Sequence, residues 1–226
     1  MKKSGQGGFD LEADEKRALA LTPVSRETKE RLNIFVLLLL SWQKKTNLVA
    51  SSTLPNLWTR HVADSLQLLA LAPEALVWVD FGSGGGFPGI PIACALAGKP
   101  GAMVHLVESV GKKANFLREA VRATGIPAQV HQERAEKFGE TCAEAVHVVT
   151  ARALSPLKIL CDQAFPLIAK GALGLFPKGQ DVAAELTEAA KYWSIQASLV
   201  PSVTNPASAI VVVRGLKRLG KHKLSH

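Results

Sequence analysis

The stretch Val77-Trp78-Val79-Asp80-Phe81-Gly82-Ser83-Gly84-Gly85-Gly86-Phe87-Pro88-Gly89 constrains the fold most, because an apolar strand runs directly into a glycine-rich turn and a helix start. Apolar side chains on both sides of Asp80 suit a strand that is covered on both faces, as in a parallel sheet. Glycines allow positive φ and a close approach of backbone to ligand. Pro88 suits a first helical turn. The segment predicts the opening strand and turn of a nucleotide-cofactor-binding α/β fold.

Two cofactor classes fit such a turn. Gly84, Gly86 and Gly89 satisfy the spacing G-x-G-x-x-G of dinucleotide sites. Asp80, however, precedes Gly82 by two positions and is expected at the carboxyl end of the strand, beside the ligand crevice, where a pyrophosphate would be repelled. S-adenosylmethionine (AdoMet) has no phosphate and carries an amino group and a sulfonium, which a carboxylate favours. The residues therefore favour AdoMet over NAD, with a dinucleotide-binding oxidoreductase or a non-catalytic nucleotide sensor as the other class.

With 226 residues, 47% hydrophobic and 20% charged, the chain suits one compact α/β domain with an extension. The apolar run from Ile34 to Leu40 is too short to span a bilayer, and no signal-peptide pattern precedes it. A soluble, cytoplasmic, monomeric protein is expected. Cys94, Cys142 and Cys161 are widely spaced among small or apolar residues, which predicts core thiols rather than a disulfide framework or a metal site. Lysine and arginine outnumber aspartate and glutamate by 27 to 19, and no acidic residue follows Glu188. Arg214, Lys217, Arg218, Lys221 and Lys223 form a basic C-terminal block suited to a polyanion such as RNA, or to a solvated tail without a partner.

The expected organisation is a helical extension over residues 1–72, a cofactor domain over 73–216 and a basic tail over 217–226. A helix is predicted from Ser25, as N-cap, to Gln43, with Leu32, Phe35, Val36 and Leu39 on one face. A second follows, capped by Ser52 or Thr53, with Pro55 in its first turn and Leu54, Trp58, Val62, Ser65 and Leu69 on its buried side. From Val77 onward strands and helices alternate, the signature of βαβ units and a mainly parallel sheet. Further strands are predicted at Met103 to Glu108, Ala128 to His131, Val146 to Thr150, Ala172 to Phe176, Ile195 to Leu199 and Ile210 to Arg214. Between the second and third of the seven, a helix from Val110 to Thr124 stops at Gly125.

Glu108 ends the second strand, where such folds place an acid on the ribose hydroxyls; capping the next helix is the alternative. Ala135 and Glu136 follow the third strand, within reach of an adenine, although Glu136 by spacing alone is a helix-start residue. Thr150-Ala151-Arg152-Ala153 follows the fourth strand, from which a methyltransferase of this topology addresses its acceptor. It lacks the acid or Asn, two prolines and aromatic of an amino-nitrogen methylase, and the Cys nucleophile of a pyrimidine C5 methylase. What remains suits an acceptor with a free lone pair, such as a ring nitrogen, which needs positioning rather than a base. Arg152 is the positioning candidate, holding RNA phosphate, cofactor carboxylate or a base edge, with a structural salt bridge as alternative. His61 and Asp64 read as a hydrogen-bonded pair on one helix side. Lys44 and Lys45, beside Trp42, and Lys178, after the fifth strand, are further RNA-binding candidates, as are Arg214, Lys217 and Arg218.

Trp42-Gln43-Lys44-Lys45-Thr46-Asn47-Leu48, Arg60-His61-Val62-Ala63-Asp64-Ser65-Leu66, the turn from Asp80 to Pro91, Ser109-Val110-Gly111-Lys112-Lys113 and Arg152-Ala153 together resemble the bacterial small-subunit rRNA guanine-N7 methyltransferases, also called glucose-inhibited division protein B. The resemblance runs from about Phe35 to Lys178 and loosely into the last strand. It implies a Rossmann-like class I AdoMet-dependent methyltransferase fold, with a seven-stranded, mainly parallel sheet, helices on both faces and an N-terminal helical extension. It also implies methyl transfer from AdoMet to the N7 of one guanine in 16S rRNA, free or in the small-subunit particle, leaving S-adenosylhomocysteine. By the same resemblance, Gly82, Phe87, Ala135, Glu136 and Arg152 fall on cofactor positions and Glu108 on the ribose-contacting acid, while Asp80, Gly84 and Gly86 are cofactor candidates from the turn itself. Gln43 stands where the family usually has Asn, and Ser208-Ala209 where relatives often carry an Arg. A methyltransferase acting on a small molecule or a protein is the competing reading within the same cofactor class.

Overall fold

The computed structural model describes residues 10–219. A seven-stranded sheet has the order β3-β2-β1-β4-β5-β7-β6. Its strands are β1 (Val77–Phe81), β2 (Met103–Val107), β3 (Ala128–His131), β4 (Val148–Ala151), β5 (Leu173–Lys178), β6 (Trp193–Pro201) and β7 (Ala209–Arg218). The first five pair in parallel, whereas β7 runs antiparallel between β5 and β6. Every residue of β1 is buried, as expected of a central parallel strand with helices on both faces.

Alternation along β1 sends Trp78 to one face and Val79 and Phe81 to the other. The first face is covered by α1 (Leu11–Leu21), α2 (Arg26–Gln43), an irregular helical segment, α4 (Gly89–Leu96) and α5 (Gly111–Thr124). The second is covered by α6 (Ala135–Thr141), α7 (Leu157–Ile168) and α8 (Val182–Ala189). Ser25 caps α2 by accepting from Thr28 N–H, and α5 ends at Gly125 in the left-handed region at φ 62°.

Three details differ from the sequence reading. First, α1 was not expected; Asp10 caps it, and its Asp14 is fully buried. Second, the helix assigned from Ser52 or Thr53 is instead a succession: a 3₁₀ turn (Ser51–Asn56), a π-helical turn (Trp58–Ala63), the short α3 (Asp64–Leu66) and another 3₁₀ turn (Gln67–Leu71). Neither Ser52 nor Thr53 caps it. Asp14 of α1 does so from a distance, its Oδ2 accepting from Trp58 N–H at 2.7 Å and its Oδ1 from the Thr59 hydroxyl at 2.6 Å. Third, β7 extends through Arg218, so Lys217 and Arg218 belong to the sheet rather than to a tail. Lys221 and Lys223 lie outside the described residues. Cys94 and Cys161 are buried as expected, whereas Cys142 is only partly so.

The packing of α4 against the sheet depends on Gly89. A Cβ there would lie 2.2 Å from Leu106 Cδ2 and 2.8 Å from Asp80 Oδ2, so a glycine is what lets helix and strand meet. Gly89→Ala should destabilise the fold by about 1–3 kcal/mol, as overpacking does. Urea denaturation checks this, and an unchanged midpoint would contradict it.

Candidate active site

Strand register gathers the site. Phe81 pairs with Val107 of β2 and with Ala151 of β4, so the residues just beyond, Gly82, Glu108 and Arg152, stand along one edge of the sheet. The sheet order reverses between β1 and β4, and open α/β sheets bind ligands at that reversal, outside the carboxyl ends of the strands.

The turn takes its shape from Gly82, Gly84 and Gly86, at φ 64°, 52° and 87°, a region that side chains disfavour. Its backbone donors are largely engaged within the protein. Ser83 N–H donates to Val107 C=O at 3.1 Å, Gly86 N–H to Ser83 C=O at 2.6 Å, and Ile90 N–H to Gly86 C=O at 2.8 Å. Gly84 N–H donates to Glu108 Oε2 at 2.9 Å, and Gly89 N–H to Asp80 Oδ2 at 3.1 Å. Asp80 therefore sits at the amino end of α4, where a dinucleotide fold places pyrophosphate. This turn is filled with carboxylates from within, and it suits a ligand without phosphate.

Asp80 is completely buried and does not face the crevice as the sequence reading expected. It fastens α4 behind the turn, and its Oδ1 has no partner among the described residues. Burial pushes its pKa up to about 7, against the hydrogen bonds from Ser83 and Gly89. Glu108 takes the helix-capping alternative: Oε1 accepts from Val110 N–H at 2.7 Å at the start of α5, and Oε2 accepts from Gly84 N–H in the turn. A carboxylate oxygen can accept more than one bond, so Glu108 retains capacity for a hydroxyl. Ala135 is buried at the start of α6, and exposed Glu136 accepts from Gln163 Nε2 at 2.8 Å.

Arg152 is the most elaborately held side chain of the site. Its NH1 donates to Arg60 C=O at 3.2 Å and to Asp64 Oδ2 at 3.3 Å, and its NH2 to His61 Nδ1. Phe87 lies beneath: its ring centroid is 5.8 Å from Arg152 Cζ and 4.9 Å from that of His61. A guanidinium can only donate, so Nδ1 must hold the lone pair. His61 Nε2–H therefore donates to Thr53 Oγ1 at 2.8 Å, and the Thr53 hydroxyl donates to Ala50 C=O at 2.7 Å. Burial, then the charges of Arg152 and Arg60, lower the His61 pKa to about 3. Along the helical segment His61 and Asp64 are joined only through Asp64 N–H to His61 C=O, while their side chains both grip Arg152. Asp64 Oδ1 also accepts from Thr204 Oγ1 at 2.8 Å and Gln67 Nε2 at 2.8 Å, which ties in the β6–β7 connection. Antiparallel β7 starts opposite Lys178, the last residue of β5, and so brings that connection to the same edge.

Beyond Arg152 lies a cavity of about 480 Å³, whose walls include Asp64, Arg152, Leu154, Lys178, Glu185 and Asn205. Lys178, a sequence candidate for RNA contact, is committed here: Nζ donates to Ser155 C=O at 2.8 Å and to Glu185 Oε2 at 2.7 Å, with only 10% of the side chain exposed. Sequence reasoning missed Glu185, which also accepts from Leu157 N–H at 2.7 Å. No local signal links it to Lys178, because their meeting depends on how α8 packs. Leu154 was missed too; it covers Gly82, within 2.5 Å of where a Cβ would stand.

The other cations are divided between the two ends of the sheet. Lys44 and Lys45 are exposed on the connection after α2. Gln43 braces that connection by accepting from Leu48 and Val49 N–H and donating to Val49 C=O, and Leu48 C=O abuts Gly85. Trp42, half-buried, packs against the core with its ring centroid 5.7 Å from that of Phe116. Arg214, Lys217 and Arg218 follow Val213, which pairs with Gly174 near the start of β5, so they lie at the opposite end from Gly82. Arg214 bonds Ser198, and Arg218 lies 5.0 Å from the Trp193 centroid and pairs with Asp162 at 3.4 Å. Burial pushes the Cys94 and Cys161 thiols, both in the core away from the cavity, up to about 12.

Comparison with known proteins agrees with this geometry. The family model described as rRNA small subunit methyltransferase G matches residues 28–211. Ribosomal RNA small subunit methyltransferase G of Bradyrhizobium sp. strain BTAi1 is 59% identical over 208 residues, covering 92% of this chain and 94% of the relative. The protein of that name from Nitrobacter hamburgensis is 57% identical over 206 residues, covering 91% and 79%. Among solved structures, an O-methyltransferase from Bacillus cereus in complex with SAH superposes with a TM-score of 0.58 at 15% identity, covering 89% of this chain and 96% of that one. That likeness bears on the fold alone.

The His61 clamp has a pH signature. The unfolded chain takes up a proton on this imidazole near its ordinary value of 6.5, whereas the folded chain refuses it down to about 3. Stability conferred by the neutral ring is therefore present above 6.5 and falls as pH drops through that window. In thermal unfolding from about pH 7.5 to about pH 5, wild type should lose stability more steeply than His61→Asn; parallel curves would contradict the clamp.

Proposed function

This chain belongs to the rRNA small subunit methyltransferase G family, and from that membership we propose that it transfers a methyl group from AdoMet to the N7 of one guanine in 16S rRNA. The single observation that carries the cofactor assignment is the turn whose donors are engaged by Glu108, Asp80 and backbone carbonyls. Such a turn accepts a ligand with a ribose, an amino group and a sulfonium and offers little to a pyrophosphate.

Gly82 gives the ligand a surface without a side chain, Glu108 accepts from the ribose hydroxyls, Ala135 and Glu136 flank the adenine, and Phe87 with Arg152 closes the methionine end. Asp80 acts behind the turn by fixing Gly89. Bound AdoMet supplies an electrophilic methyl on sulfur, which passes to the N7 lone pair as the S–CH₃ bond breaks and S-adenosylhomocysteine leaves. Guanine N7 loses no proton in this step, so the site needs no general base, and the His61 imidazole, fully engaged on both nitrogens, is not one. Arg152 positions by donating, and its grip by Asp64, His61 and Arg60 C=O fixes that direction.

The RNA partner is met at the edge that bears Gly82. Exposed Lys44 and Lys45 flank the turn and supply phosphate contacts, while Arg214, Lys217 and the tail serve an extended footprint. We read the protein as a cytoplasmic monomer, and no helix among the described residues is long and apolar enough to cross a membrane.

Small-subunit particles lacking the modification, incubated with the protein and methyl-labelled AdoMet and digested to nucleosides, should yield 7-methylguanosine. Label on any other atom would contradict the assignment. Lys44→Glu with Lys45→Glu should weaken RNA binding and lower the slope of log affinity against log salt by about two. An unchanged slope would remove these lysines from the footprint.

A further inference from the structure

Guanine N7 lies on the major-groove edge, and A-form RNA keeps that groove too deep and narrow for side chains to enter. An enzyme that methylates N7 must therefore take the base unpaired or extruded, and an extruded base needs a pocket. The cavity of about 480 Å³ beyond Arg152 has the size of a ligand pocket. Leu154, which covers Gly82, also lines it, so it opens directly beside the turn.

One wall of this cavity carries a donor and an acceptor side by side. Lys178 Nζ uses one proton on Ser155 C=O and one on Glu185 Oε2, which leaves the third. Glu185 Oε2 takes Lys178 and Leu157 N–H, while no donor among the described residues reaches Oε1. Asp64 is more heavily engaged, its Oδ1 accepting from Gln67 and Thr204 and its Oδ2 from Arg152. The Ser155 hydroxyl, in the same wall, is buried without a partner among the described residues.

Guanine presents O6, an acceptor, next to N1–H, a donor. Adenine presents the reverse, an amino donor next to a bare N1. We propose that Lys178 and Glu185 read the O6 and N1–H positions of an extruded guanine held in this cavity, and so determine base specificity. The proposal rests on the N7 function above and deepens it. Holding the Watson–Crick edge leaves N7 free for transfer. It also sets adenine's amino group against the ammonium and its N1 lone pair against the carboxylate, and a site built for one polar pattern rejects the other strongly. Because the same two side chains bind Ser155 and Leu157, base recognition and the position of the loop after β4 are mechanically joined.

The test uses the full chain with AdoMet and ligated small-subunit RNA in which the methylated nucleotide is guanine, inosine or O6-methylguanine. Inosine keeps O6 and N1–H and should be methylated at N7 within about tenfold of guanine in kcat/KM. O6-methylguanine keeps N7 but lacks N1–H and blocks O6, and should fall by at least about a hundredfold. Equal methylation of O6-methylguanine, or rejection of inosine as severe as that of O6-methylguanine, overturns the proposal while the N7 function stands. Absence of 7-methylguanosine from the guanine RNA sinks the N7 function itself. Glu185→Gln should lower kcat/KM for guanine by about a hundredfold with AdoMet affinity changed by less than about threefold. Undiminished kcat/KM also overturns the proposal, and the analogue comparison, made on unaltered protein, decides if that variant does not fold.

Discussion

A carboxylate at the amino end of a helix organises this molecule. Asp80 leaves β1 fully buried, accepts from Gly89 N–H and so fastens α4 against the sheet. That contact sets the path of the intervening chain, since the glycine turn must span from Phe81 to Gly89 with the Ser83, Gly84 and Gly86 donors satisfied on the way. Glu108 from the neighbouring strand and the carbonyls of Val107, Ser83 and Gly86 complete the set. The consequence is chemical. A helix start whose Gly89 N–H is already bound by an internal carboxyl offers less to an external phosphate, and the site that results suits a sulfonium and a ribose.

A second set of contacts turns a generic fold edge into a shaped site. The guanidinium of Arg152 is where three segments meet: the loop after β4, the irregular helical segment through His61 and Asp64, and the β6–β7 connection through Thr204 and Asp64. The π-helical turn matters here, because it leaves Arg60 C=O able to accept from Arg152. The irregular helical segment therefore carries part of the candidate site, and Asp14 of α1 caps it through Trp58 N–H.

The sequence was legible where structure is local. Val77 to Phe81 is a nearly unbroken apolar run, as a strand covered on both faces requires, and Ser25 and Gly125 mark helix ends by backbone chemistry that acts within a few residues. The positions of Glu108 and Arg152 were readable because each follows a strand, and parallel register aligns strand ends. What could not be read was set at long range. Asp14 caps a helix more than forty residues away, so Ser52 and Thr53 looked like better caps than they are. Lys178 looked like a free cation because its partner Glu185 arrives on a separate helix. Lys217 and Arg218 looked like a tail because the apolar, buried run of β7 ends at Val213, and pairing with β6 carries the strand on through mostly polar residues.

The most direct test of the account is titration calorimetry of the protein with AdoMet, S-adenosylhomocysteine and NADH, beside Gly82→Asp. Gly82 sits at φ 64° with Leu154 over it, so an added carboxylate there should abolish cofactor binding. The account predicts binding of the two methionine-derived ligands by the unaltered chain, loss of both in the variant, and no binding of NADH. Binding of NADH alone would contradict it, because the turn would then be presenting donors to a pyrophosphate.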